Sequence, residues 1–291
     1  ALGAESGHYD VVHSHLDFLS FPMSRRAHAP VVTTLHGRLD LPELQPIFNE
    51  YSELPVVSIS NAQRKPLPGA NWAGTVYHGI PKDLYSLHER PGSYLAFLGR
   101  ISPEKCPDHA IEVAKRVGMP LRIAAKVDAA DHAYFKQKIE RLLDHPLVEY
   151  VGEINDAEKN DFLGEAAALL CPYDWPEPFG LVLIEAMACG TPVLAYRQGS
   201  IPEVIDHGVT GYICDNIAEM AQAVAGLPLI DRQRCRDVFE KRFTVERMAK
   251  DYLNLYESMV AAPHRPRLLT RPASHARVGA IHTLAPQADV A

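Results

Sequence analysis

From residue 93 onward the chain switches regularly between two hydrophobic rhythms. Short, nearly unbroken apolar runs read as buried strands: YLAFLGR (94–100), LRIAAK (121–126), VEYVGE (148–153), ALLCP (168–172), PVLAY (192–196) and TGYICD (210–215). Between them lie stretches of helical period: PDHAIEVAKRVG (107–118), DHAYFKQKIERLLD (131–144), DAEKNDFLGEA (156–166), LVLIEAMACG (181–190), IPEVIDHG (201–208) and NIAEMAQAVAGL (216–227). Strand–helix alternation punctuated by Gly and Pro predicts right-handed crossovers and a doubly wound parallel sheet.

The first 80 residues show a fainter version. YDVVHSH (9–15), VVTTLHG (31–37), VVSIS (56–60) and TVYHG (75–79) each read as a strand ending in a polar loop, with weak, Pro-broken helices such as LPELQPIFNEYSE between them. PKDLYSLHERPG (81–92) is polar, bounded by proline and without period, so it reads as a linker. FTVERMAKDYLNLYESMV (243–260) is an amphipathic helix. The predicted class is therefore α/β with two Rossmann-like lobes. The expected division is a partial amino-terminal lobe over 1–90, a second lobe over 91–242, a helix over 243–260 and a disordered tail over 261–291.

Composition narrows the function. With 36 acidic against 29 basic residues the formal charge is −7, which argues against nucleic acid as a main partner. Four Arg and one Asp give residues 261–291 a charge of +3, leaving −10 for the rest. Five cysteines without metal-type spacing read as reduced thiols of a cytoplasmic protein. No run of about 18 apolar residues predicts a membrane span. The chain starts at Ala1 and is strand-like by residue 10, so an amino-terminal segment is expected to be missing and the first lobe incomplete.

Ligands of open parallel sheets sit off the carboxyl ends of the strands, and three features fall there. In FLGRISPEK, Arg100 follows the strand and Lys105 lies at the mouth of the next helix; a fork and a mobile point charge suit a diphosphate. Ordinary surface charge is the competing reading. In EPFGLVLIEA (177–186), the amides of Phe179, Gly180 and Leu181 open a helix and can hold an anion. Glu185, one turn inside that helix, can accept from a ribose diol, and Glu177, before it, can accept from hydroxyls of whatever the diphosphate carries. Helix-start acids favoured by the macrodipole explain Glu177 moderately well and Glu185 poorly, because LVLI and AMA bury the latter. In YRQGSIPEVI, Gly199 and Ser200 open a short helix that either offers amide donors or is simply capped by Ser200. His36, at a strand end facing the other half, is the first-lobe candidate, with a satisfied loop histidine as its alternative. His13 and His15 alternate along one strand, and no third metal ligand is placed by spacing. No Asp-x-Asp, P-loop, G-x-G-x-x-G or G-x-S-x-G motif is present.

LGRISPEK, the paired glutamates of EPFGLVLIEAMACGTPVLA with seven residues between them, GSIPEVI, GVTGYICD and FTVERMAKDYLNLYE, in this order, resemble glycosyltransferase family 4, retaining nucleotide-sugar transferases of the GT-B fold. The resemblance covers about residues 9–260, and it implies an acceptor-side lobe over 1–90, a nucleotide-sugar donor lobe over 91–242 and a helix over 243–260 that returns to the first lobe. It implies that Arg100 and Lys105 hold the donor diphosphate, the amides of Phe179 to Leu181 its distal phosphate, Glu185 the ribose and Glu177 the sugar hydroxyls. Ile154 would back the base, and His36 would approach the transferred sugar and its leaving oxygen. It also implies a metal-independent hexosyl transfer on one face of the sugar, with UDP-glucose as the first guess for the donor and GDP-mannose next. No cofactor is expected, and the acceptor would be small or lipid-linked, handled in the cytoplasm or at the inner membrane face. Two other functions fit the residues: a non-catalytic nucleotide-sugar binding module, and a nucleotide-sugar epimerase on the same fold.

Overall fold

The computed structural model describes residues 9–261; the tail expected to be disordered, from 262 on, lies outside the described residues. Two parallel sheets form. Strands β1 (Val12–Ser14), β2 (Val31–Thr34), β3 (Val56–Ser58) and β4 (Trp72–Thr75) stand in that order in the first. The second holds β5 (Tyr94–Arg100), β6 (Leu121–Lys126), β7 (Val148–Gly152), β8 (Ala166–Cys171), β9 (Val193–Tyr196) and β10 (Gly211–Cys214), in the order β10-β9-β8-β5-β6-β7. Every pairing is parallel.

The period-2 geometry of a strand explains why these runs are apolar throughout. Along β5, Tyr94, Ala96 and Leu98 enter the core on one face of the sheet, while Leu95 and Phe97 enter the core on the other. Both faces are covered by helices, so no position on β5 can be polar until Gly99 and Arg100. In the first sheet Val56 faces the cluster of Phe21 and Phe48, and Val57, with Val32 and Val76, faces the helix Val245–Ala261. That last helix leaves the second lobe and lays Tyr252 on the first sheet, where its hydroxyl lies 3.0 Å from Thr34 Oγ1. Arg247 fastens it further by donating to the carbonyls of Tyr77 and His78.

Four details depart from the sequence expectations. The strand expected over 75–79 is Trp72–Thr75, and only the Val76 amide continues its pairing, to the Ser58 carbonyl at 2.9 Å. The stretch 131–144 is a broken spiral: a short α-turn His132–Tyr134, a π-turn Phe135–Ile139 and a 3-10 turn Glu140–Leu142. Helix Arg232–Arg242 has no sequence counterpart, because its buried face includes two arginines. Arg232 donates to the carbonyls of Ala166 (2.9 Å) and Gly164 (2.7 Å), and Arg236 to those of Tyr85 and Ala188, both at 2.7 Å. Ser200 does not cap the helix Ile201–Val204 with its side chain; its hydroxyl donates to the Phe179 carbonyl at 2.9 Å.

Candidate active site

Numbered within its own lobe, the second sheet runs 3-2-1-4-5-6, and the order reverses between β5 and β8. Loops leaving neighbouring strands at such a point diverge and open a crevice at the carboxyl ends. Here those loops are 101–106, after β5, and 172–180, after β8. The Asp174 amide bonds the Glu104 carbonyl at 2.9 Å and ties them together.

Across this crevice Lys105 Nζ meets Glu177 Oε2 at 2.5 Å, with both side chains largely buried. The ammonium lies 3.8 Å from the ring centre of Tyr173 and 5.1 Å from that of Trp175, whose indole N–H also donates to Glu177 Oε2 at 3.1 Å. Cation and carboxylate thus come from the two different loops, and two aromatic rings of the second loop flank the ammonium.

Gly180 then takes φ +81 as the N-cap of helix Leu181–Ala188. A β-carbon there would stand 2.9 Å from Leu183 Cδ1 and 3.4 Å from Glu177 Cγ, so glycine lets the chain turn against the glutamate. The side chains of Leu183 to Ala188 are buried, and Glu185 is among them. Its Oε1 is 3.2 Å from Lys159 Nζ and 3.5 Å from the Tyr85 hydroxyl, while Oε2 is buried with no protein partner. Burial opposes the Lys159 charge, but Asp156 and Glu185 outweigh it and raise its pKa. An acceptor oxygen left open beside a fixed cation is suited to a hydroxyl donor.

The first lobe contributes histidines. His36 Nε2 lies 2.8 Å from His15 Nδ1, and its ring stacks on His78 at 5.4 Å. His78 in turn meets the edge of Phe179 at 5.0 Å, so an aromatic chain runs from β2's end to the crevice loop. Burial first, then the neighbouring His15, lowers the pKa of His36. Burial likewise holds His78 at about 4, with the His36 and Arg247 charges adding to the effect. His13 is not placed for a metal: it is bonded between Tyr256 (2.6 Å) and Thr34 (2.7 Å).

The sequence candidates thus separate. Lys105 and Glu177 are in contact, Phe179 and Gly180 follow on the same loop, Leu181 opens the helix, and Glu185 sits one turn beyond. Ile154 packs, partly buried, on the same core cluster as Phe179. Arg100 does not join Lys105 on Glu177: half exposed, it pairs with Glu104 at 3.2 Å and Asp128 at 3.5 Å. His78, Lys159, Tyr85 and Trp175 were not singled out from sequence. His78 holds in TVYHG the place that His36 holds in TTLHG, and that parallel could have marked it. Among the described residues only Cys106, Asp108 and His109 cluster like metal ligands, with ligand atoms within 4.8 Å of one another. Asp108 is already paired with Lys138 at 2.8 Å and lies in the first turn of a helix, where positive charge is disfavoured.

These features set a switch-point crevice in the second of two parallel α/β lobes, and comparisons with known proteins bear on what such a crevice serves. The chain belongs to the family described as glycosyl transferases group 1, whose model matches residues 86–240, more than half of it. It is 28% identical over 285 residues to a D-inositol 3-phosphate glycosyltransferase of Mycolicibacterium smegmatis, covering 79% of this chain and 61% of that protein's length. Over 88 residues, 28% of this chain and 23% of the relative, it is 40% identical to an N-acetyl-alpha-D-glucosaminyl L-malate synthase of Bacillus anthracis. Among solved structures, Anabaena HepE in complex with UDP superposes with a TM-score of 0.76 at 21% identity, covering 87% of this chain and 80% of that one. Sucrose-phosphate synthase from Thermosynechococcus elongatus superposes with a TM-score of 0.71 at 19% identity, covering 88% and 75%. The fold is GT-B, the resemblance is to glycosyltransferases of the family 4 type, and the chain spans about three fifths of the length of the inositol-phosphate relatives it matches. None of its described helices is long and apolar enough to cross a membrane.

Proposed function

We propose that the chain carries the donor site of a retaining, metal-independent hexosyltransferase that uses a nucleotide-diphosphate sugar. The observation that carries this reading is the Lys105–Glu177 contact at the switch point, followed at once by the glycine-led start of helix Leu181–Ala188. The donor's diphosphate would lie against Lys105 and the amides of Phe179 to Leu181, with Arg100 reaching in from the rim. Glu185 would use its unpartnered Oε2 on a ribose hydroxyl, and Ile154 would back the base. Glu177 would hold hydroxyls of the sugar, and His36 would close over it from the first lobe.

Transfer on one face needs no enzymatic nucleophile. The acceptor oxygen attacks the anomeric carbon as the bond to the departing phosphate oxygen breaks, and that phosphate takes the acceptor proton. Lys105 and Arg100 stabilise the charge that develops on the leaving group. This scheme calls for cations and amides at the diphosphate, not a metal or cofactor. One support favours a uridine nucleotide: the fold-level likeness to HepE, whose structures hold UDP and UDP-glucose. UDP-glucose is therefore the first donor to try and GDP-mannose the second. The acceptor would be small or lipid-linked and enter from the first lobe (residues 1–90), with residues 91–242 as the donor lobe, in the cytoplasm or at the inner face of its membrane.

Transfer measured with a panel of nucleotide sugars on the parent, Lys105→Ala and Glu177→Ala tests the reading. Loss of turnover in both variants is expected. An active parent whose two variants turn over unchanged would defeat it.

A further inference from the structure

Helix Asn61–Arg64 of the first lobe has a local cap, Ser60, whose side chain accepts only from the Gln63 amide. The amides of Asn61 and Ala62 remain, as they do at any helix start. Both are satisfied from the other lobe. Glu203 Oε2 accepts from Asn61 N at 2.8 Å, and Glu203 Oε1 accepts from Ala62 N at 2.6 Å. The Asn61 side-chain amide (3.1 Å) and the Tyr77 hydroxyl (2.9 Å) add two further bonds to Oε2. One carboxylate therefore gathers four donors across the interlobe cleft, two of them from a helix terminus where negative charge is favoured.

The other end of the Glu203 segment rests on the candidate catalytic loop. Ser200 N donates to the Glu177 carbonyl at 2.9 Å, and Ser200 Oγ donates to the Phe179 carbonyl at 2.9 Å. Gly199 takes φ +51 with its α-carbon so close that a β-carbon would stand 2.3 Å from the Glu177 carbonyl oxygen. From behind, Arg242 donates to the Glu203 carbonyl and pairs with Asp206 at 2.8 Å, so the segment is held on three sides. A gap of about 20 Å³ separates Asp40 and Gln63 of the first lobe from Pro176, Glu177 and Gly199 of the second, room for one water.

We infer that Glu203 is a positioning residue for the transfer: it latches the lobes together and so fixes the backbone that presents Glu177 and Phe179. Its link to transfer rests on the function proposed above; the latch itself does not. When the latch is made, the first lobe bears on residues 199–203, these bear on 177–179, and the Glu177 carboxylate is set beside Lys105. When it is broken, the donor lobe keeps its own sheet and helices, so nucleotide binding persists while the ternary geometry loosens.

The test is a pulsed electron resonance distance between spin labels at exposed positions 49 and 115, one per lobe, on the full chain, with UDP titration and transfer assayed alongside. Glu203→Ala is expected to lengthen and broaden the distance distribution and to lower transfer about tenfold or more, with UDP affinity within about threefold of the parent. Glu203→Gln, which keeps an acceptor oxygen, should fall between the two. Asn61→Pro attacks the same bonds from the opposite lobe and keeps Glu203. Proline suits a first helical position, and Ser60 before it is already extended (φ −158, ψ 162). It removes both Asn61 bonds and leaves those of Ala62 and Tyr77, so it should lengthen and broaden the distribution in the same direction as Glu203→Ala, by less, and it decides the matter if Glu203→Ala does not fold. A distribution in a folded variant that superimposes on the parent's overturns the latch. Failure of the parent to bind any nucleotide sinks the transferase reading instead, and the distance measurement still decides the latch.

Discussion

Lys105 and Glu177, on loops that follow two different strands, meet with their charged atoms 2.5 Å apart over the ring of Tyr173. In the proposed function this lysine is the positive charge for a phosphate, and its loss would remove charge stabilisation in the transition state more than in ground-state binding. Lys105→Ala is expected to reduce transfer by about 10²- to 10³-fold, the range of losing one such donor. Steady-state kinetics with the best donor check this; a loss confined to KM would contradict it.

Glu185 and Lys159 separate binding from stability. Glu185→Gln keeps the shape but replaces a charged acceptor, and is expected to weaken nucleotide binding about tenfold, at about 1.4 kcal/mol per tenfold. Lys159→Met leaves the buried Glu185 carboxylate without its cation, a loss of about 1–3 kcal/mol in unfolding free energy. Calorimetry with UDP reads the first and urea unfolding the second.

Two glycines provide a matched pair. Gly199→Ala forces a β-carbon against the backbone of Glu177 in a conformation that side chains avoid, and should cost about 1–3 kcal/mol together with most of the transfer activity. Gly37→Ala, with nothing within 4 Å, should change neither by more than about 0.5 kcal/mol. Thermal melts and turnover of the two variants side by side check the contrast.

The interlobe histidines predict a pH response. Burial, ahead of the like charges of His15 and His36, holds His13 at about 4, and burial, ahead of His36 and Arg247, holds His78 at about 4; the ordinary value is 6.5. The groups facing them are Thr34, Tyr252 and Tyr256 around His13, and His36 and Phe179 around His78. Between about 4 and 6.5 the unfolded chain binds more protons than the folded one, so stability is complete above 6.5 and falls as pH drops toward 4. The melting temperature should therefore decline over that window and level off below it. His78→Gln should make the decline shallower, and a variant with the parent's slope would exclude His78 as a source.

Much of this molecule was legible because its strands are buried on both faces. β5, β8 and β9 leave no polar position to confuse the pattern, and the turns between them carry Gly or Pro. The same logic located Glu185, since a carboxylate in an otherwise apolar helix has to answer to something. What stayed hidden was held by polar groups acting over distance. Helix Arg232–Arg242 buries guanidinium groups on carbonyls 43 to 154 residues away, which no periodicity reveals. Glu203 reads as a first-turn acid of a short helix, and its four partners lie 126 to 142 residues earlier in the chain. Arg100 lies five residues before Lys105, and nothing in that spacing reveals that Glu104 and Asp128 hold its side chain at the rim.

A crystal structure of the parent chain soaked with UDP tests the central claim most directly. The account predicts the diphosphate beside Lys105 and the amides of Phe179 to Leu181, with a ribose hydroxyl on Glu185 Oε2. A well-ordered nucleotide bound elsewhere on the molecule, with Lys105 still on Glu177 and no phosphate near either, would contradict it.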